Sequence, residues 1–304
     1  MKKIVLAFVA SLALSATSTF AADMPVKAVK APAAAPSPWD IAFGAAFTTD
    51  YELRGVSQSN HRPAAQGYFE LDYTATDWLK LYAGVWGSSL WTGFADAEFD
   101  ITGGARMSWG NFGLDVGYIY YAYPGGINTA AGLANGSYGE MYVKPSYKIA
   151  DWLTVGGIFE TGFNNFNDKK VVPVVGGGLF NGVWTGDANH YFYAGNAVIT
   201  LPWTPMGTAI SVNPEIGYEH YSSGVTFNYG PVSDTYWDVG LDFNYKAVTL
   251  DLRYWGVSIS PNAVATAAAP LGFNQCGPGG AGQNFCGQRF VATLKFDTTL
   301  SALK

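Results

Sequence analysis

The sequence predicts a transmembrane antiparallel β-barrel of about twelve strands, and three observations carry that prediction. Apolar and polar residues alternate with period two through most of the chain from Trp39 onward, the mark of strands with two unlike faces. The links between these runs are short and long by turns. Beyond the first 21 residues, no unbroken apolar stretch approaches the ~18 residues that a helical span requires. Composition agrees. Hydrophobic residues make up 49% of the 304, yet mean hydropathy is only +0.08, so polar residues dilute them everywhere. Charged residues are 13%, about half the share usual in soluble domains. Aromatics at 16% exclude a disordered chain, and a net charge of −6 without a basic cluster excludes a nucleic-acid binder. Two cysteines cannot staple a disulfide-dense scaffold.

Taken in order, residues 1–21 read as a secretory signal. Lys2 and Lys3 precede the apolar core Ile4 to Leu14, and Thr19 and Ala21 supply small residues for cleavage. Residues 22–38, with Pro25, Pro32, Pro36 and Pro38, read as an extended Ala/Pro/Lys-rich periplasmic linker. Residues 39–304 form the barrel, a single domain. Its strands are expected to centre on Gly44, Leu71, Ala83, Gly103, Gly117, Val143, Gly157, Ala197, Pro214, Leu241, Arg253 and Leu294. The even count returns both ends of the barrel to one side. Short links fall at Ala75-Thr76-Asp77, Gly110-Asn111, Ala150-Asp151, Trp203 to Gly207 and Lys246-Ala247. Long ones run from Gly55 to Pro63, Ser88 to Ala95, Pro124 to Gly136, Asn164 to Asn189, Ser222 to Ser233 and Ser260 to Gln288. Such regular alternation of periplasmic turns and extracellular loops belongs to an up-and-down membrane barrel, whereas a sandwich mixes in Greek-key crossovers. Trp78, Trp109, Trp152 and Trp203 all stand beside short links, as a girdle of indoles at one membrane boundary would.

Alternation also assigns the faces. The polar positions expected to line the interior are Glu70, Asp72, Lys80, Glu98, Asp100, Arg106, Asp115, Glu140, Lys144, Glu160, Glu215, Asp238, Asp242, Asp251, Arg253 and Lys295, with Glu219, Asp297 and Lys148 beside them. Acids outnumber bases there by roughly two to one, so a wet interior should favour cations. If these charges pair across strands, they satisfy one another instead. About twelve strands enclose a bore between the filled eight-stranded barrels and the open sixteen-stranded porins, leaving room for a loop to narrow it. Asn164 to Asn189 and Ser260 to Gln288, the longest links, are the candidates. Cys276 and Cys286 share one Gly/Pro-rich link, and export to an oxidising compartment predicts a disulfide between them that restrains this loop. Their spacing fits no zinc site, and His61, His190 and His220 are scattered, so neither metal nor cofactor is expected.

The segment FTTDYELRGVSQSNHRPAAQGYFELDY (Phe47 to Tyr73) resembles the TorF-type putative porins of alphaproteobacteria. So do LYAGVWGSS (Leu81 to Ser89), EFDITGGAR (Glu98 to Arg106), LDVGYIYYAYPG (Leu114 to Gly125), YGEMYVKPSYK (Tyr138 to Lys148), YWDVGLDFNYKAVTLDLRYW (Tyr236 to Trp255) and the late Cys pair. The resemblance spans nearly the whole mature chain and implies an outer-membrane barrel of a Gram-negative bacterium, with lipid and small hydrophilic solutes or ions as partners. The chain departs from the usual aromatic barrel terminus by ending Leu300-Ser301-Ala302-Leu303-Lys304, with Phe296 the nearest aromatic. Arg54 stands in the strongest match, either as a charged contact at the mouth of a pore or as a pin for the first loop. Three functions follow: a passive channel with cation preference, a non-conducting surface barrel whose loops engage partners, or an outer-membrane hydrolase. Catalysis is not expected. His220, between Glu219 and Ser222-Ser223, is the best local candidate and lies in no nucleophile motif.

Overall fold

Strands with one oily and one polar face have a single stable arrangement in lipid: they pair until no edge remains, because lipid cannot hydrogen-bond an open edge. The computed structural model shows that arrangement. It describes residues 37–91, 95–124, 137–162, 190–221, 233–258 and 286–303, so the expected signal and almost all of the linker lie outside the described residues. Strand β1 (Trp39–Thr48) is followed by a tiny hairpin, β2 (Glu52–Leu53) and β3 (Val56–Ser57). Then come β4 (Ala64–Thr76), β5 (Leu79–Ser89), β6 (Ala97–Trp109), β7 (Phe112–Ala122), β8 (Tyr138–Ala150) and β9 (Leu153–Gly162). The remainder are β10 (His190–Thr200), β11 (Ala209–Tyr221), β12 (Ser233–Tyr245), β13 (Val248–Val257) and β14 (Arg289–Thr299). All but β2 and β3 form one closed antiparallel ring, each pairing with its sequence neighbours. β1 closes it, with Ile41 opposite Leu71 of β4 and Ala45 opposite Phe296 of β14. Every expected strand centre lies inside a barrel strand.

The faces follow the alternation. Phe47, Ile101 and Leu294 are more than half exposed on the outside, while Glu98 and Glu140 are fully buried inside, the reverse of a soluble core. Trp78, Trp109, Trp152 and Trp203 are all exposed at the short-link end, where Trp78 stacks on Trp109 at 5.7 Å and Trp109 on Phe112 at 6.0 Å. Trp39 joins them beside Tyr73 at 4.6 Å. A closed barrel with an apolar exterior and an aromatic belt is an outer-membrane protein of a Gram-negative bacterium. At the same end Leu300 N donates to Ile41 O at 2.8 Å, tying the last strand to the first.

The first long link departs from expectation. It is not an extracellular loop standing away from the barrel. Its hairpin folds inward, and the physical reason lies at its tip.

Candidate functional site

The polar interior resolves into two charged walls and a crossing at the mouth. On the first wall Arg106 donates to Glu70 at 2.6 and 2.8 Å and to Asp115 at 3.3 Å, and Lys80 reaches Asp72 at 3.3 Å. The Arg106 guanidinium also lies 3.8 Å from the Tyr82 ring centre, and the Tyr82 hydroxyl donates to Asp115 at 2.6 Å and meets that of Tyr142. Gly104 makes this possible, since a Cβ there would sit 2.6 Å from the Tyr82 hydroxyl. On the second wall Arg253 pairs with Asp238 and Asp251, and Lys295 reaches Asp251 at 2.9 Å with Asp242 opposite it in register. Glu215 accepts from Asn196 at 3.0 Å and from Tyr236. Thus the interior charges pair extensively, as one of the two sequence readings expected, and carboxylates still exceed bases.

At the loop end the ring order puts β8, β9, β10 and β11 opposite β1 and β4, the pair that the first link joins. Leu53-Arg54-Gly55-Val56 is a two-residue hairpin with φ of 52° at Arg54 and 81° at Gly55, the primed turn whose twist suits paired strands. The turn carries Arg54 across the bore to the far wall. There Arg54 Nη2 donates to Glu140 Oε2 at 2.7 Å and to Glu160 Oε2 at 2.5 Å, and Nη1 donates to Glu219 Oε1 at 3.0 Å. His190 closes the cluster, its Nδ1 2.5 Å from Glu140 and its Nε2 2.7 Å from Glu219. Lys144 adds a contact to Glu160 at 2.9 Å. The guanidinium carbon lies 4.4 Å from the centre of the Phe192 ring. A buried arginine is tolerated here because both terminal nitrogens meet carboxylates and the guanidinium face meets an aromatic ring.

The hairpin is wedged on both sides. Val56 packs with Phe192, Tyr236, Val257 and Cys286; Tyr51 packs with Ala64, Leu90 and Ala95. Its root is pinned by Asp50, which accepts from Ser57 at 2.6 Å and Ser59 at 2.8 Å and contacts His61 at 2.9 Å. Burial alone would raise the Asp50 carboxyl, but these hydrogen bonds outweigh it and hold it below the ordinary 3.8. Glu52 contacts Arg289 at 2.7 Å; burial, with the Asp50 charge adding, nevertheless pushes it up to about 9.

The first link bridges the bore; the two links expected to narrow it, Asn164 to Asn189 and all but the end of Ser260 to Gln288, lie outside the described residues. His220 and Glu219 point to opposite faces: Glu219 turns inward to Arg54, while His220 stacks on outward Tyr218 and contacts Ser233 Oγ at 2.9 Å. Cys286 is buried in the cluster around Val56, and Cys276 lies outside the described residues. Sequence reasoning missed His190, Asp234, Asp50 and Arg289 as interior groups. Gly55 between Leu53 and Val56 is a weak turn signal, and it carries no information on the direction of the turn.

A family model described as a bacterial protein of unknown function (Gcw_chp) matches residues 32–275, most of the chain, and the chain belongs to that family. No curated protein matches the chain. Among solved structures, an outer-membrane channel from Pseudomonas putida F1 is similar at 12% identity and a TM-score of 0.45, over 89% of this chain and 100% of that one. The toluene transporter TodX of Pseudomonas putida is similar at 10% identity and a TM-score of 0.39, over 87% and 89%. The translocator domain of the autotransporter NalP from Neisseria meningitidis gives the same four values.

Proposed function

We propose that this member of the Gcw_chp family is an outer-membrane channel for passive diffusion of small hydrophilic solutes, with a preference for cations, and that its first link is a gate held shut by Arg54. One observation carries the reading. The interior is lined by charged walls with carboxylates in excess, and among the described residues a hairpin whose tip is held by ion pairs crosses the mouth. Eight-stranded barrels fill their bore with side chains, whereas twelve strands enclose a wider one. The resemblance to TorF-type porins supports the same reading. No catalytic step enters it. The expected Cys276–Cys286 disulfide fits as a tether, since Cys286 packs directly on Val56 of the gate.

Single-channel recording in planar bilayers tests the proposal. The wild-type protein should open rarely, and Arg54→Ala should show larger or longer-lived steps, because the gate loses its ion-pair grip on the far wall. Under a salt gradient the reversal potential of the open variant should indicate cations as the favoured carriers. Silence from both proteins removes the channel reading, and anion preference removes the charge argument. The apolar packing on both flanks of the hairpin favours a second reading, a barrel that stays sealed and serves through its loops. Silence would support it.

A further inference from the structure

Arg54 sits in its cage as a ligand sits in a receptor. Among the described residues, the groups that hold it belong to the barrel wall: Glu140 on β8, Glu160 on β9, His190 and Phe192 on β10, Glu219 on β11. Arg54 alone arrives on a loop, so the cage persists when the hairpin leaves. Carboxylates around the edge of a planar cation and an aromatic ring over its face are the recognition chemistry of a guanidinium. A second observation asks for more positive charge than Arg54 brings. Asp234, paired in register with Glu219 and only 2% exposed, meets no hydrogen-bond donor on either carboxylate oxygen among the described residues. A buried carboxylate that accepts no hydrogen bond can take a further donor, and a cationic one would offset its desolvation best.

We propose that the cage is a binding site for solutes carrying a guanidinium and a second cationic group, and that Arg54 occupies it as an internal surrogate. The solute's guanidinium takes the place of Arg54 among Glu140, Glu160 and Glu219, and its second charge answers Asp234. Displacing Arg54 frees the hairpin tip, and the mouth opens. Binding at the cage stands by itself; the opening step rests on the gated-channel reading.

The binding arm uses the Arg54→Ala protein in detergent, melted with agmatine, with ethylguanidinium, or with sodium chloride at matched ionic strength. Agmatine should give a saturable rise of about 4 °C, half-complete at a concentration roughly tenfold lower than ethylguanidinium needs. Adding Asp234→Asn should erase the difference between the two guanidinium compounds, and Glu140→Gln with Glu160→Gln and Glu219→Gln should abolish the rise. A shift no larger than that with sodium chloride, or one indifferent to the three Gln substitutions, overturns the site. Should Arg54→Ala not fold, hydrogen exchange of the wild-type hairpin amides replaces it: agmatine must accelerate them saturably, and unchanged exchange overturns the proposal. The conductance arm adds agmatine on the loop side of the wild-type channel, where opening should become more frequent. Binding without any conductance in any variant sinks the channel reading and keeps the site. Conductance without binding sinks the site alone.

Discussion

Arg54 and Gly55 concentrate the cost of the gate into two residues. Arg54 holds φ at 52°, a left-handed conformation that costs a side-chain-bearing residue ~1–2 kcal/mol and survives only where the surroundings enforce it. Three carboxylates supply that enforcement. Removing the guanidinium leaves those carboxylates facing one another, a loss of about 3–5 kcal/mol from the closed state. Gly55 has the complementary problem: at φ 81° an added Cβ would stand 2.7 Å from the Cβ of Tyr236. Gly55→Ala should therefore unseat the hairpin while leaving the far-wall cage intact. We expect faster hydrogen exchange at Glu52 to Ser57 and conductance resembling Arg54→Ala. Protection equal to wild type would show that the tip does not govern seating.

At the scale of strands, one rule assigns every side chain to water or to lipid, and its violation should be expensive on one face alone. Leu71, near the middle of β4, points outward beside Ile41 and Ala83 of the adjoining strands. Leu71→Arg should destabilise the barrel by about 2–4 kcal/mol in urea titrations from lipid vesicles. The same change at Gln66, an inward residue of the same strand that bonds Ser88, should stay within about 1 kcal/mol. Equal penalties would mean that the faces are misassigned. The strands themselves were readable because alternation is a local property: Glu98, Asp100 and their outward neighbours Phe99 and Ile101 announce both faces within a few residues. The β2–β3 hairpin was not readable in that way. Four residues with a tight turn look like any loop until the surface they rest on is known.

For the whole molecule, the gate has two attachments that lie far apart in sequence. Its tip is held by β8 to β11, and its flank rests on Cys286 just ahead of β14. If Cys286 is bridged to Cys276, the bridge ties the last long link to a residue that packs on the hairpin. We expect a maleimide to label the denatured protein only after reduction, and Cys276→Ser to raise the opening frequency; labelling without reductant would refute the bridge. The partners of Arg54 stand 86, 106 and 165 residues further along, so no window of sequence contains the site.

The amino-acid order alone determined the barrel: its strand number, the lipid and water faces, the tryptophan belt and the excess of carboxylates inside. Each of these follows from side-chain periodicity and from lipid's inability to bond an open backbone, conditions that every short segment must satisfy separately. Only the closed ring decided what the carboxylates do. Closure sets β8 to β11 across from the first link, and that juxtaposition joins a loop arginine and four distant wall residues in one ion-pair cluster.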